Sequence, residues 1–347
     1  MAHASVRSAP AGPGPLLEVE GLSVTLSRDG REDRLVDDVS FSLAAGEILC
    51  IVGESGCGKT VTARSIIGLN RTDPRFRLAG RINFAGTDLL TLSETQMRGV
   101  RGAKIAMIFQ DPMTSLNPLH RIGTQIGEVL RSHTDLGARA IVERSVELLA
   151  QVGIPNPRSR INDYPHQFSG GMRQRAMIAL ALACSPSLLI ADEPTTALDV
   201  TMQNQILSLI DRLREQYGMA VVLITHDLGV VAGIADRVMV MYAGECVESG
   251  PVRDVFHSPQ HPYTAGLLAS IPAANRSRTP RLPSIKGAPP MLTEGRPQGC
   301  AFRPRCEHAL AVCVEHPGLA GNDHRYRCWL PDADRARLAS KPGRVTG

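Results

Sequence analysis

The sequence predicts an α/β fold in which a core of parallel strands and flanking helices carries an inserted helical subdomain and a small cysteine-containing extension. Short apolar runs such as EILCIV (Glu47–Val52) and SLLIAD (Ser187–Asp192) alternate with longer segments of helical periodicity. Strands that alternate with helices are typical of parallel sheets covered by helices. A proline- and arginine-rich stretch after Ser270, followed by four cysteines, indicates the extension.

The elements follow one another along the chain in a simple order. LLEVEGLSVTL (Leu16–Leu26) and LVDDVSFSL (Leu35–Leu43) alternate apolar and polar residues, as half-buried strands do. KIAMIFQ (Lys104–Gln110) predicts a further strand, and ARAIVERSVELLAQVG (Ala138–Gly153) predicts a helix that stops at its glycine. We therefore expect a disordered leader at residues 1–14, a main domain at 15–270 with a helical subdomain at about 111–182, and an extension at 271–347.

Composition narrows the class of protein. The net charge of +4 is too small to indicate a nucleic-acid partner, and no run of five or six like charges occurs. The longest apolar run, Ala176–Cys184, is about half the length needed to cross a bilayer. The N-terminal residues lack the apolar core of a secretory signal. These features predict a cytosolic chain, in which clustered cysteines are more often metal ligands than disulfides.

The stretch GESGCGKT (Gly53–Thr60) lies between an apolar strand and a helical segment and fits the pattern G-x-x-x-x-G-K-[ST]. Its N–H groups can surround nucleotide phosphates, Lys59 adds a positive charge, and Thr60 offers a hydroxyl to Mg²⁺. A glycine-rich turn without a ligand is the alternative. The predicted ATP-binding residues are Gly53, Glu54, Ser55, Gly56, Cys57, Gly58, Lys59 and Thr60.

Further polar residues follow apolar strands. Asp192 ends one strand, where it can hold magnesium through water, and Glu193 can polarise the water that attacks a γ-phosphate. A solvated turn is the alternative for this pair. FSGGMRQR (Phe168–Arg175) opens a helix with bare N–H groups and predicts a second anion site. His226 at the end of LITHD either contacts a γ-phosphate oxygen or is structural.

The order of these motifs resembles the ATPase subunit of ABC transporters over roughly residues 16–270. The resemblance implies a P-loop ABC ATPase core, in which a mixed sheet carries RecA-like helices, and two subunits that face head to tail. Each ATP then lies between the phosphate loop of one subunit and the signature of the other. The signature residues are Ser169, Gly170, Gly171 and Met172.

The resemblance also implies roles for single residues. Gln110, at the hinge of the helical subdomain, is expected to sense magnesium, and Asp199 to link the two nucleotide sites across the subunit interface. The implied catalytic residues are Glu193, His226 and Gln110, and the implied Mg²⁺ ligands are Thr60, Gln110 and Asp192. The family usually stacks adenine on an aromatic residue of an early strand, whereas this chain has Leu26 there. We assign no adenine contact.

A finer resemblance points to the peptide-importer branch, which includes oligopeptide, dipeptide and nickel systems. FQDPMTSLNPLHRIGTQIGE (Phe109–Glu128), HSPQHPYTAGLLASIP (His257–Pro272) and GCAFRPRC (Gly299–Cys306) are similar to that branch. It implies an ATPase that powers import of di- or oligopeptides from the cytoplasmic face of the membrane. The implied partners are a second, non-identical ATPase, two membrane-spanning permease subunits and an external binding protein, with no nucleic acid. An ATPase of a nickel or other small-solute importer, or a soluble ABC ATPase outside transport, is the alternative.

Four cysteines crowd the extension at Cys300, Cys306, Cys313 and Cys328. They lack the C-x₂₋₄-C pairs of most zinc sites, whereas iron–sulfur clusters take four thiolates in more varied spacings. Resemblance to the branch implies a [4Fe–4S] cluster, and Zn²⁺ or ligand-free thiols remain open. The arginines that could offset thiolate charge are Arg303, Arg305, Arg325 and Arg327.

Cys57 lies inside the phosphate loop, near the start of a helix. A helix N-terminus can lower the pKa of a thiol and make it reactive. A small side chain that the loop merely accommodates is the other interpretation.

Overall fold

The computed structural model describes residues 14–111, 115–196, 198–271 and 285–339. The leader expected at residues 1–14 lies outside these ranges apart from Gly14, and so do residues 272–284 and 340–347 of the expected extension. None of the helices in these ranges is long and apolar enough to span a bilayer.

Strands and helices alternate along much of the described chain. The strands are β1 (Leu17–Arg28), β2 (Arg31–Leu43), β3 (Ile48–Val52), β4 (Phe76–Phe84), β5 (Thr87–Asp88), β6 (Ile105–Ile108), β7 (Leu188–Asp192), β8 (Ala220–Ile224), β9 (Arg237–Tyr242), β10 (Glu245–Pro251) and β11 (Arg325–Tyr326). The α-helices are α1 (Lys59–Ile66), α2 (Glu94–Val100), α3 (Ile122–His133), α4 (Ala138–Gln151), α5 (Pro157–Arg160), α6 (Gly170–Ala181), α7 (Val200–Tyr217), α8 (Leu228–Ile234), α9 (Val252–His257), α10 (Pro262–Ala269) and α11 (Asp332–Leu338). The strands predicted around β3, β6 and β7 and the helix predicted at α4 are confirmed.

The chain divides into two compact units. The first is built from the described parts of Met1–Glu18, Ser42–Glu47 and Ile82–Val222. The second is built from the described parts of Val19–Phe41, Ile48–Arg81 and Leu223–Gly347. These units do not coincide with the expected domains at 15–270 and 271–347, and that division stays a prediction.

The first unit joins a buried parallel strand pair to a group of helices. β6 and β7 run parallel, with Ile105 opposite Leu188 and Ile108 opposite Ala191. Every residue of β7 is buried, which explains its uninterrupted apolar sequence, since both faces of such a strand are covered. Helices α3, α4 and α6 pack against one another in the region where the helical subdomain was expected.

The second unit contains a mixed sheet. β9 runs parallel to β3, with Cys50 opposite Val238, and antiparallel to β10. β11 then pairs antiparallel with β10, with Glu248 opposite Tyr326. The predicted mixed sheet is therefore confirmed. The cysteine-containing extension shares it with β3, the strand that leads into the phosphate loop.

The fully buried carboxylate of Glu248 links this sheet to residues 260–261 and to His324. Glu248 of β10 accepts hydrogen bonds from the main-chain N–H groups of Gln260 at 2.7 Å and His261 at 2.9 Å. The Nε2 atom of His324 lies 2.7 Å from the same carboxylate. A buried charge is tolerated when it is paired and hydrogen-bonded, and these three groups meet that need.

His261 caps α10, since its Nδ1 accepts a hydrogen bond of 3.1 Å from the N–H of Tyr263. Burial lowers the pKa of His261 to about 3. The unfolded imidazole titrates near 6.5, so between these values only the unfolded chain gains a proton. Stability is therefore complete above about pH 6.5 and falls as the pH drops, by about 2 kcal/mol at pH 5.

We expect His261→Asn to lose less stability than the wild type between pH 7 and pH 5, because asparagine keeps the cap and cannot titrate. Thermal unfolding midpoints at both pH values measure this. The exposed His226→Asn is the control and should behave like the wild type. Equal acid sensitivity of His261→Asn and the wild type would contradict the prediction.

Candidate functional site

The phosphate loop depends on glycines where the backbone passes close to other strands. Gly53 has a φ of +151°, and a Cβ there would lie 2.2 Å from the carbonyl oxygen of Met241. Gly58 has a φ of +101°, and its Cβ would lie 2.7 Å from the carbonyl oxygen of Leu35. Any larger residue would clash with backbone at both positions. Within the second unit, the loop is thus held against neighbouring backbone by contacts that only glycine allows.

Lys59 begins α1 and is 5% exposed. Its Nζ donates hydrogen bonds to the carbonyl oxygens of Gly53 at 2.8 Å and Glu54 at 2.9 Å. The ammonium group therefore lies inside the curve of the loop. Thr60 follows as the next helical residue and is partly exposed. A positive charge and a hydroxyl at the start of a helix form the arrangement that binds nucleotide phosphates and Mg²⁺.

Cys57 is buried, with an exposure of 4%, and its Sγ lies 3.8 Å from Nζ of Lys59. Burial raises the pKa of the Cys57 thiol, and the smaller effect of Lys59 lowers it. The balance of these effects favours the second interpretation of Cys57, because burial outweighs the neighbouring charge of Lys59. Cys57 is a small side chain that the loop accommodates.

Asp192 ends β7 and Glu193 follows it, and the two carboxylates lie in different surroundings. Asp192 is 1% exposed. Glu193 is partly exposed, and its Oε2 accepts hydrogen bonds of 3.0 Å from Nε2 of Gln110 and 3.0 Å from Oγ1 of Thr196. The first unit thus joins Gln110 and Glu193, which are 83 positions apart in the sequence.

Glu193 also has an unusual backbone conformation. Its φ of +47° lies in the left-handed region, which residues other than glycine seldom adopt. Such strain costs about 1–3 kcal/mol and is concentrated at functional sites. The two hydrogen bonds and the strained backbone together fix the carboxylate at the tip of a rigid strand.

His226 lies two residues beyond β8, in the second unit, and its side chain is exposed. The next residue, Asp227, caps α8 by accepting hydrogen bonds from the N–H groups of Gly229 and Val230. The sequence left a structural role open for His226. Its exposure leaves the imidazole accessible to a ligand.

The predicted signature residues form the start of α6 in the first unit. Ser169 is exposed, and its hydroxyl accepts a hydrogen bond of 3.3 Å from the N–H of Met172. A Cβ on Gly171 would lie 2.2 Å from Cε of Met202, so this position is tightly packed. Asp199 caps α7 through a 2.9 Å bond from the N–H of Met202, next to Val200, which is 74% exposed.

Two of the four cysteines of the extension are joined through the main chain, since the N–H of Cys300 donates to the carbonyl oxygen of Cys313 at 3.0 Å. All four are free thiols that are buried or partly buried. Burial, followed by the charges of the other three thiolates, raises the pKa of Cys306 to about 11. Main-chain N–H groups lie 3.4 Å from Sγ of Cys313 and 3.5 Å from Sγ of Cys328.

Within the described ranges, no group of three or more histidine, cysteine, aspartate or glutamate side chains could hold a metal ion. The expected cluster and the zinc alternative are therefore not confirmed. A cluster of several irons needs its ligand sulfurs farther apart than one ion does, and N–H donors to sulfur are typical of its surroundings.

Two of the four arginines expected to offset thiolate charge pair with carboxylates instead. Arg305 pairs with Glu54 of the phosphate loop, and Nη2 of Arg327 lies 2.8 Å from Oδ2 of Asp38. No local sequence pattern could have revealed these pairs, because each joins residues more than 250 positions apart.

Comparison with known proteins gives the family. A family model described as "ABC transporter" matches residues 36–196, and one described as "Oligopeptide/dipeptide transporter, C-terminal region" matches residues 247–313. The "Oligopeptide transport ATP-binding protein OppD" of Bacillus subtilis (strain 168) is 51% identical over 325 residues, which is 92% of this chain and 90% of that protein. The chain belongs to the ABC transporter ATP-binding family. It is an ATPase with the P-loop fold of that family.

Other members of the ABC transporter family agree with this placement. The "Oligopeptide transport ATP-binding protein OppD" of Salmonella typhimurium is 50% identical over 311 residues, covering 90% of this chain and 92% of that protein. Among solved structures, the dimeric post-hydrolysis state of the ATP-binding cassette MJ0796 bound to ADP and Pi has a TM-score of 0.61 and 25% identity. That match covers 68% of this chain and 99% of MJ0796.

Proposed function

We propose that this chain hydrolyses ATP to power the import of di- or oligopeptides through a membrane permease. The observation that carries the proposal is the identity of 50–51% over about nine-tenths of the chain to proteins named for oligopeptide and dipeptide transport. The match of residues 247–313 to a peptide-transporter C-terminal region supports the same substrate class.

The proposed chemistry assigns separate tasks to the residues of the site. Lys59, now held by two carbonyl oxygens, turns its ammonium to the β- and γ-phosphates of ATP. Glu193 is the general base for the attacking water. Gln110 orients the carboxylate of Glu193 through its Nε2 atom. Because an amide has separate donor and acceptor atoms, Oε1 of Gln110 stays available to a cation.

We assign the remaining residues by the pattern of motifs in ABC transporter ATPases. Thr60, Gln110 and Asp192 would hold Mg²⁺, which neutralises phosphate charge, and His226 would hold the γ-phosphate. Ser169, Gly170, Gly171 and Met172 would act on the ATP of a second subunit, with Asp199 at the interface. The partners proposed are a non-identical ATPase, two permease subunits and an external binding protein. The chain would lie on the cytoplasmic face of the membrane, held by the permease.

Uptake of a radiolabelled tripeptide tests the proposed substrate class. Cells that lack this chain should regain ATP-dependent uptake when the wild type is supplied and should not regain it with Lys59→Ala. Restored uptake of radiolabelled nickel in place of peptide would support the small-solute alternative. If neither solute is taken up and the chain sediments with ribosomes, the transport proposal is wrong.

We also propose that Cys300, Cys306, Cys313 and Cys328 hold a [4Fe–4S] cluster. The presence of four thiols in one short extension and the N–H groups near two of their sulfurs support it. When bound, the cluster would cross-link an extension that has few apolar residues of its own. Peptide import has no redox step, so we assign the cluster a structural task.

Protein purified without oxygen is expected to contain about four irons and four acid-labile sulfides per chain, with broad visible absorption. Cys306→Ser should lose most of the iron because it removes one ligand, whereas the matched control Cys184→Ser, in the first unit, should keep it. A content of about one zinc per chain without sulfide would indicate a zinc site in place of the cluster. Absence of any metal would refute both.

A further inference from the structure

The cysteine segment, defined here as Gly299–Cys313, reaches the phosphate loop through one side chain. Arg305 lies directly before Cys306, in the 3₁₀ turn Arg303–Arg305. Its Nη1 lies 2.5 Å from Oε2 of Glu54, and its Nη2 lies 2.9 Å from Oε1. The side chain of Arg305 is 6% exposed and that of Glu54 is 25% exposed. This bidentate pair is largely shielded from water, so it is among the stronger kinds of ion pair.

Every polar group of Glu54 is held. Its main-chain N–H donates to the hydroxyl of Tyr263 at 2.9 Å, and its carbonyl oxygen accepts from Nζ of Lys59 at 2.9 Å. Arg305 holds the carboxylate. The backbone of the second residue of the loop is therefore fixed by groups on both sides, one of which is the lysine that meets the phosphates.

Aromatic packing ties Arg305 to the sheet. Phe302, three residues earlier, packs its ring 5.3 Å from that of Tyr242 and 5.4 Å from that of Tyr263. Nη1 of Arg305 also lies 3.3 Å from the hydroxyl of Tyr242, and its Nε donates to the carbonyl oxygen of Lys286. The guanidinium position therefore depends on the folding of the cysteine segment.

The charge of Glu54 explains why this contact matters for a nucleotide. A carboxylate in a phosphate loop repels the triphosphate and competes with it for the ammonium of Lys59. Charges in a partly buried site are screened weakly, so such repulsion is not removed by solvent. Arg305 neutralises this carboxylate and directs it away from Lys59 by binding both of its oxygens.

We propose that Arg305 is a positioning residue for nucleotide binding. It neutralises and fixes Glu54, and it thereby makes the cysteine segment part of the ATP site. The proposal rests on the proposed binding of ATP by Gly53–Thr60. It adds a residue from outside the phosphate-binding loop, contributed by a segment about 250 positions farther along the chain.

The test compares the wild type with full-length variants by the affinity for trinitrophenyl-ATP, the KM and kcat for ATP, and the thermal unfolding midpoint. Arg305→Ala is expected to raise the dissociation constant and the KM by about tenfold, within the usual range of coupling between sites. Its kcat should change much less, because Arg305 does not touch the reacting atoms. Glu54→Gln removes the carboxylate charge and keeps the main-chain contacts of Glu54, so it is the reference with which the double variant is compared.

The double variant Glu54→Gln/Arg305→Ala separates electrostatics from simple damage. Removing the unpaired carboxylate should restore most of the lost affinity, which a general loss of packing would not do. If Arg305→Ala does not fold, Arg305→Gln replaces it, since glutamine removes the charge and keeps much of the side chain. Arg303→Ala is the matched control in the same turn and should bind like the wild type.

Two results would overturn the proposal: unchanged affinity in Arg305→Ala, or a double variant as weak as Arg305→Ala. Either is distinguishable from failure of the proposed function. If the wild type and Lys59→Ala bind trinitrophenyl-ATP equally, the phosphate loop is not the nucleotide site. If Lys59→Ala loses binding while Arg305→Ala binds like the wild type, the phosphate loop is the nucleotide site and the proposed role of Arg305 is wrong.

Discussion

Glu193→Gln is expected to lower the rate of ATP hydrolysis by about 10²–10⁴-fold, the usual contribution of a general base. Glutamine has nearly the same shape and can still accept hydrogen bonds from Gln110 and Thr196, so the strained turn after β7 should keep its geometry. The change removes only the negative charge that draws a proton from water. ATP affinity should therefore stay close to that of the wild type.

Steady-state hydrolysis and trinitrophenyl-ATP binding, measured on the same preparation, check this prediction. Glu215→Gln is the matched control, because that side chain is 70% exposed in the same unit and should not affect the rate. Full turnover by Glu193→Gln would show that another group is the base. A loss of binding together with the rate would assign Glu193 to the nucleotide pocket.

Lys59→Ala is expected to weaken ATP binding by about 10–100-fold, since hydrogen bonds to a charged group contribute about 1.5–3 kcal/mol each. Alanine also leaves the carbonyl oxygens of Gly53 and Glu54 without their donor. Hydrolysis and peptide uptake should fall with the affinity. Unlike Glu193→Gln, this variant should fail at the binding step.

Lys286→Ala is the control for charge, because Lys286 lies in the same unit with its side chain 81% exposed. Calorimetric titration with ATP and a thermal unfolding midpoint separate lost binding from lost folding. If a folded Lys59→Ala protein has an unchanged dissociation constant for ATP, the phosphate-loop interpretation is wrong. The proposed role of Arg305, which depends on that interpretation, is then also wrong.

The sequence predicted the elements whose patterns are local. The strand β7 and its terminal carboxylates, the loop before α1 and the helix α4 all follow from apolar periodicity and glycine spacing within short windows. The Ser169 and Asp199 caps are likewise readable from single polar residues before helices. In each of these segments the local preference and the final environment agree.

What the sequence could not predict depends on distant partners. A glutamate in a strand usually faces solvent, yet Glu248 is fully buried because His324 and the main chain at residues 260–261 cover it. The start of a helix suggested a reactive Cys57, but burial dominates. The hydrogen bond between Gln110 and Glu193 needs two strands side by side, which no sequence window contains.

The distance along the chain between Glu54 and Arg305 also has a consequence for protein synthesis. The two residues are 251 positions apart, so roughly 13–50 s separate their appearance at the ribosome. During this interval a nascent chain carries a complete phosphate loop whose Glu54 has no guanidinium partner. A truncated product that ends before the cysteine segment keeps that defect permanently. Full affinity for ATP would then require that translation has passed residue 305, and incomplete chains would bind ATP about tenfold more weakly.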